Sequence, residues 1–116
     1  MTNQEKLVLS GLDTAVWQTD RGSAIVVLSG DLDLATAPKL RQRLADLADC
    51  DVIDLVIDLA NLGFMDSSGI SVIVGTYEHL KLRGGSLVIR NANPMAIKIF
   101  QITGLMEYLS VTGAPI

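Results

Sequence analysis

Residues 52–75 read VIDLVIDLANLGFMDSSGISVIVG. Residues 52–59 are β-branched and apolar on both parities, the pattern of a strand in the middle of a sheet, covered on both faces. After DSSG, Ile70, Ile73, Val74 and Tyr77, with Lys81 by its stem, recur at helical spacing. They predict a helix over residues 68–82 that stops before Gly84 and Gly85. With the strand ending near Leu59, DSSG lies in the loop after a central strand, at the start of a helix. Loops at that end of parallel strands are usual ligand sites. Asp66 suits the role of helix cap, where the helix dipole favours negative charge by roughly 0.3–1 kcal/mol. Gly69 is the odd residue, since glycine in a first turn costs about 0.5–1 kcal/mol relative to alanine. It marks either a close approach to the backbone or a neighbouring element that needs the room.

Working outward, AVWQ (15–18) and AIVVLS (24–29) read as strands joined by the polar turn TDRGS, an antiparallel hairpin at the start of a sheet. A helix follows, with Thr36 as its N-cap, Pro38 in the first turn and a stripe of Leu40, Leu44 and Leu47 opposite Lys39, Arg43 and Asp46. SLVIR (86–90) is another strand. NPMAIKIFQITG (93–104) is a helix with Asn93 as cap, Pro94 at the first position, the stripe Ala96, Ile99, Phe100 and Thr103, and Gly104 as terminator. The order strand, strand, helix, strand, helix, strand, helix predicts a single α/β domain. Its sheet is mixed, antiparallel at the start and then parallel, with helices packed against it.

A second acidic cluster, GDLDLATAP (30–38), sits between the AIVVLS strand and the helix capped by Thr36. If that strand runs parallel to 52–59, both loops emerge at one edge of the sheet. Asp31, Asp33, Asp66, Ser67 and Ser68 then share a surface.

Composition narrows the function. A chain of 116 residues, 49% hydrophobic and 19% charged, can close one core without disulfides or metal. It has no 18-residue apolar run, so no membrane insertion is expected, and MTNQEKLVLS does not direct export. The single cysteine, Cys50, fits a reducing compartment, and the expected location is cytoplasmic. A net charge of −4 and two Phe, two Tyr and one Trp argue against direct nucleic-acid binding. The serines lack a G-x-S-x-G frame, and His79 lies about three helical turns beyond them, which argues against hydrolase chemistry and against an enzyme. His79 and Cys50 are isolated, so no metal site is assigned. No G-x-x-x-x-G-K is present and Gly84–Gly85 serves as helix stop, so no nucleotide or other cofactor is assigned either.

The combination of SGDLDLATAP, VIDLVIDLANLGFMDSSGISVIVG, GGSLVI and a helix ending ITGL resembles the STAS domain of bacterial anti-sigma factor antagonists, over roughly residues 14–112. Residues 1–13 then form an N-terminal extension, either an added edge strand or a flexible arm, and 113–116 a C-terminal tail. The resemblance implies an antagonist that binds a serine-kinase anti-sigma factor while unphosphorylated and so frees the sigma factor for transcription. It implies that the kinase then phosphorylates the antagonist on Ser67, which ends binding, and that a PP2C-type phosphatase resets it. The family's partner contacts carry over to Asp33, Asp66, Ser68 and Gly69, and the shared surface adds Asp31. Ser68 and Thr36 stay open as additional acceptors, and homodimer formation stays open as well. The rival within the same family is a STAS scaffold subunit of a signalling complex, or of a lipid-transport ABC system, without obligatory phosphorylation.

Overall fold

Buried and half-exposed residues alternate from Leu12 onward, and the chain doubles back at Arg21–Gly22. Strands β2 (Leu12–Asp20) and β3 (Ser23–Leu32) therefore pair antiparallel, with Val16 opposite Val26. The computed structural model describes residues 3–9 through their backbone and residues 11–113 with their side chains. Within it, β1 (Asn3–Leu9) pairs antiparallel with β2 and stands first in the sheet order. The expected C-terminal tail lies, beyond Gly113, outside the described residues.

After β3 come α1 (Ala37–Asp49), β4 (Asp54–Met65), α2 (Ser67–Leu82), β5 (Ser86–Ala92), α3 (Pro94–Ile102), α4 (Leu105–Tyr108) and β6 (Ser110–Gly113). The six described strands form one sheet in the order β1-β2-β3-β4-β5-β6, and β3 to β6 run parallel. Each helical crossover moves one place in the same direction, and crossovers of this kind are right-handed. All the crossover helices consequently stack on one face. Burial follows the same rule: Val16, Val26, Ile57 and Ile89, in register across four strands, are buried. Their neighbours on the opposite face, Trp17, Ile25, Val56 and Val88, are only half-buried. The expectation that 52–59 is covered on both faces is therefore corrected, because a strand order without reversal places no helix on the second face.

The strand does not end at Leu59 either. β4 runs on to Met65 through two irregularities: Val27 faces Asp58 while Ser29 faces Asn61, and Gly30 faces Leu62 while Asp31 faces Phe64. At each step β4 carries one residue more than β3, the signature of a β-bulge. Leu59, Leu62 and Met65 thus point inward at intervals of three rather than two. Alternation counting stops at the first bulge, which is why the sequence pattern broke off there.

Helix α1 buries Leu40, Leu44 and Leu47 as its stripe predicts. In α2 the buried residues are Gly69, Val72, Ile73 and Leu80, with Ile70 and Tyr77 packed partly against the core. The stripe is rotated from the predicted one because α2 is apolar on much of its circumference, and periodicity then fixes the face poorly. Asn93 caps α3 by accepting from the Ala96 amide at 2.9 Å, and Phe100 is fully buried. The sequence pattern marks neither α4 nor β6, which are only four residues each. At the far end of α2, Gly84 adopts φ +79° and ends the helix, while a side chain on Gly85 would overlap the Ile53 carbonyl. Among the described residues no helix is long and apolar enough to cross a membrane.

Candidate functional site

The parallel pairing of β3 with β4 brings the two acidic loops to the same edge of the sheet. Asp31 lies beside Phe64 and Leu32 beside Met65, and the Asp66 amide donates to the Leu32 carbonyl at 3.2 Å. The turn between β1 and β2 reaches this edge too, where the Gly11 carbonyl accepts from the Asp31 amide at 2.7 Å.

Asp66 is the N-cap of α2. Its Oδ1 accepts from the Ser68 amide at 2.8 Å and the Gly69 amide at 3.4 Å, which answers two of the donors a helix start leaves free. Ser67 is the first helical residue and is exposed, whereas Ser68 is half-buried. The Ser67 carbonyl accepts from Ser71 Oγ at 3.0 Å, so the backbone beneath the exposed hydroxyl is fixed one turn into the helix.

Gly69 is buried, and its place explains its identity. A Cβ there would stand 2.6 Å from Leu32 Cγ and 3.0 Å from Met65 Cγ. Of the two readings left open by the sequence, the structure supports the neighbouring element: α2 packs so closely on β3 and β4 that only glycine fits. Gly69 accordingly supports the surface from beneath instead of offering contact area.

The first acidic loop is equally ordered. Asp33 Oδ1 accepts from the Ala35 amide at 2.9 Å and the Thr36 amide at 3.1 Å. Thr36 Oγ1 donates to the Asp31 carbonyl at 2.9 Å and accepts from the Asp33 amide at 3.0 Å. Thr36 stands at the cap position of α1, yet its side chain makes no capping bond and instead folds the preceding loop onto itself. It is 1% exposed, which removes it as an acceptor open to a kinase on the folded chain. The same bonds leave Asp31 exposed and Asp33 half-buried, with Asp31 beside Gly63.

A second polar cluster escaped the sequence reading. Asp58, 6% exposed, accepts from the Ala60 amide at 3.0 Å, Arg90 Nε at 3.0 Å and Asn91 Nδ2 at 2.8 Å. Burial alone would raise this carboxyl, but the Ala60, Asn91 and Arg90 hydrogen bonds and the Arg90 charge together hold it below the usual carboxylate value. Next to it, Asn93 Nδ2 donates to the carbonyls of Leu59 at 3.2 Å and Leu62 at 2.6 Å. These bonds clamp the bulged half of β4 that delivers Asp66 and Ser67 to the edge. An aspartate set among Leu55, Val56, Ile57 and Leu59 was the available signal; its side-chain partners lie more than thirty residues away.

Arg83 and Lys81, at the end of α2, also make specific contacts. Arg83 Nη1 donates to the Ala48 carbonyl at 2.8 Å, and Lys81 Nζ donates to Tyr77 Oη at 2.9 Å. Among the described residues there is no cluster of three side chains able to hold a metal ion.

The STAS domain profile matches residues 14–114. The anti-sigma-B factor antagonist of Bacillus subtilis is 39% identical over 88 residues, 76% of this chain and 80% of that protein. The anti-sigma F factor antagonist of Paenibacillus polymyxa is 35% identical over 94 residues, covering 78% of this chain and 79% of its own. Among solved structures, the crystal structure of an anti-sigma factor antagonist from Mycobacterium paratuberculosis superposes with a TM-score of 0.77 at 28% identity, covering 90% of this chain and 87% of that one.

Proposed function

This chain belongs to the STAS-domain family of anti-sigma factor antagonists, and from that premise we propose that it is a phosphorylation-controlled binding module whose acceptor is Ser67. In its unphosphorylated form it binds a serine-kinase anti-sigma factor in the cytoplasm and displaces the sigma factor. The observation that carries this reading is the placement of Ser67: an exposed hydroxyl on the first residue of α2, flanked by a second ordered acidic loop on the same edge.

In the transfer step the Oγ of Ser67 forms a bond to the γ-phosphorus of ATP as the bond to the ADP oxygen breaks, and the hydroxyl proton passes to a base on the kinase. The chain is thus a substrate and not a catalyst. A PP2C-type phosphatase hydrolyses the ester to inorganic phosphate and restores the serine.

The physical basis for release lies in the cap. Asp66 already occupies the Ser68 and Gly69 amides, so a phosphate on Ser67 meets a carboxylate where it would otherwise meet two of the free donors. It adds a charge of about −1.5 to −2 beside that carboxylate and opposite the nucleotide from which it came. Like charges and added bulk then separate the partners, while Asp31, Asp33, Asp66 and Ser68 form the contact surface around the acceptor.

Intact mass after incubation with ATP and a lysate of the source cells, with phosphatases inhibited, tests this. One added phosphate on the parent and none on Ser67→Ala supports it. No added phosphate, in a lysate shown to contain active STAS-directed kinases, favours the constitutive scaffold or transporter subunit.

A further inference from the structure

Two large apolar side chains stand in solvent at the edge that carries Ser67. Leu34 is 76% exposed and Phe64 47% exposed. Single exposed apolar residues are ordinary on any protein surface. These two differ in how firmly they are held there. Leu34 rides on the loop that Asp33 Oδ1 and Thr36 Oγ1 lock through bonds to Ala35, Thr36 and the Asp31 carbonyl. Phe64 is turned outward by the bulges of β4, which leave Leu62 and Met65 facing the core on either side of it. The two loops are tied together by the bond from the Asp66 amide to the Leu32 carbonyl, and the exposed Asp31 lies in register beside Phe64.

We infer that Leu34 and Phe64 are the apolar anchors of the kinase interface, seating in hydrophobic sockets bordered by basic residues that answer Asp31 and Asp33. The inference rests on the proposed function and deepens it, because it names where the affinity comes from. Apolar anchors in the centre of an interface carry most of the binding free energy, and a charged rim mainly sets the rate of encounter and the orientation. Anchors beside the acceptor, and not on it, let the partner hold the chain before transfer and let one phosphate on Ser67 end the contact without remodelling the fold. Among the described side chains, the remaining exposed apolar residues of comparable size, Leu82, Ile102 and Tyr108, lie at or beyond the far ends of α2 and α3, away from this edge.

The test uses the Ser67-directed kinase activity enriched from the source cells and labelled ATP, with the chain as varied substrate. Leu34→Ser and Phe64→Ser are expected to raise the half-saturating concentration of the chain by roughly tenfold each, the scale of a truncated anchor. Phe64→Leu should recover most of the loss, and Leu82→Ser should behave as the parent. Thermal midpoints, followed by circular dichroism, should stay close to the parent's for all four. Equal half-saturation for the parent, Leu34→Ser and Phe64→Ser would overturn the inference while leaving the acceptor assignment standing. Failure of the parent itself to accept phosphate would remove the assignment and the inference together.

Discussion

The two edges of the sheet are built on different principles. At the edge away from Ser67 the chain closes on itself: the Gly22 carbonyl accepts from the Ile53 and Asp54 amides at 3.0 and 2.9 Å, and Ser86 N–H donates to the Ile53 carbonyl at 2.8 Å. Arg83 then ties the end of α2 to the end of α1. At the Ser67 edge, side-chain carboxylates and a threonine organise the loops, and the outcome is a surface with Asp31, Leu34, Phe64 and Ser67 turned to solvent. The difference teaches where this fold keeps its stability and where it leaves room for the proposed binding surface. Polar groups that satisfy one another across elements resist change, whereas local loops locked from within can present groups to a partner without weakening the core.

The sharpest way to break the comparison is at Gly85. Alanine there would overlap the Ile53 carbonyl, which Ser86 already holds, so β4 and β5 must move apart. Gly85→Ala should lower stability by about 3 kcal/mol or more, read by urea denaturation, with the folded fraction still phosphorylated normally. Gly69→Ala is the counterpart at the other edge. Its Cβ meets the Leu32 and Met65 side chains rather than backbone, so the loss should be smaller, about 1–3 kcal/mol. Because Leu32 stands between Asp31 and Asp33, this variant should also slow transfer to Ser67, which Gly85→Ala should not.

Asp58 joins the two halves of β4 and gives the comparison a pH dependence. Its folded carboxyl is held below the ordinary value, so its contribution is fully present above the unfolded value of about 4 and is lost as pH falls through the lower folded value. Asp58→Asn removes the charge that Arg90 and Asn91 answer and should cost about 1 kcal/mol at pH 7. Urea midpoints at pH 7 and pH 3 check this, with the gap between parent and variant narrowing at the lower pH. A gap that widened on acidification would reverse the assigned sign.

How much of this was legible in the sequence depends on the range of the interaction concerned. The caps at Asp66 and Asn93, the stripe of α1 and the parallel meeting of the two acidic loops rest on neighbours within a few residues or on the order of elements, and those are written in the chain. The bulges of β4 are not, because a bulge is defined by the partner strand and only its effect on alternation shows. The Asp58 cluster was missed for the same reason, since Arg90 and Asn91 become its neighbours only once β5 has paired with β4. Gly69 shows both sides of this. Its cost in a helix start marked it as unusual, but whether the demand came from a partner or from Leu32 required the packing.

Ser67→Asp should produce the smallest change in stability of all these substitutions. The residue is exposed, it is the first of α2, and the helix dipole favours a negative charge there while the Asp66 carboxylate opposes it. The two effects nearly offset, so the thermal midpoint should shift by the equivalent of less than about 0.5 kcal/mol. Binding to the kinase, measured by calorimetry, should nevertheless fall strongly, whereas Ser67→Ala should bind and resist phosphorylation. A large effect on binding with almost none on folding is what the division of labour between the two edges requires. A Ser67→Asp chain that unfolded at markedly lower temperature would show that the acceptor edge also carries the fold, and release would then have to be explained by local unfolding rather than by charge at the surface.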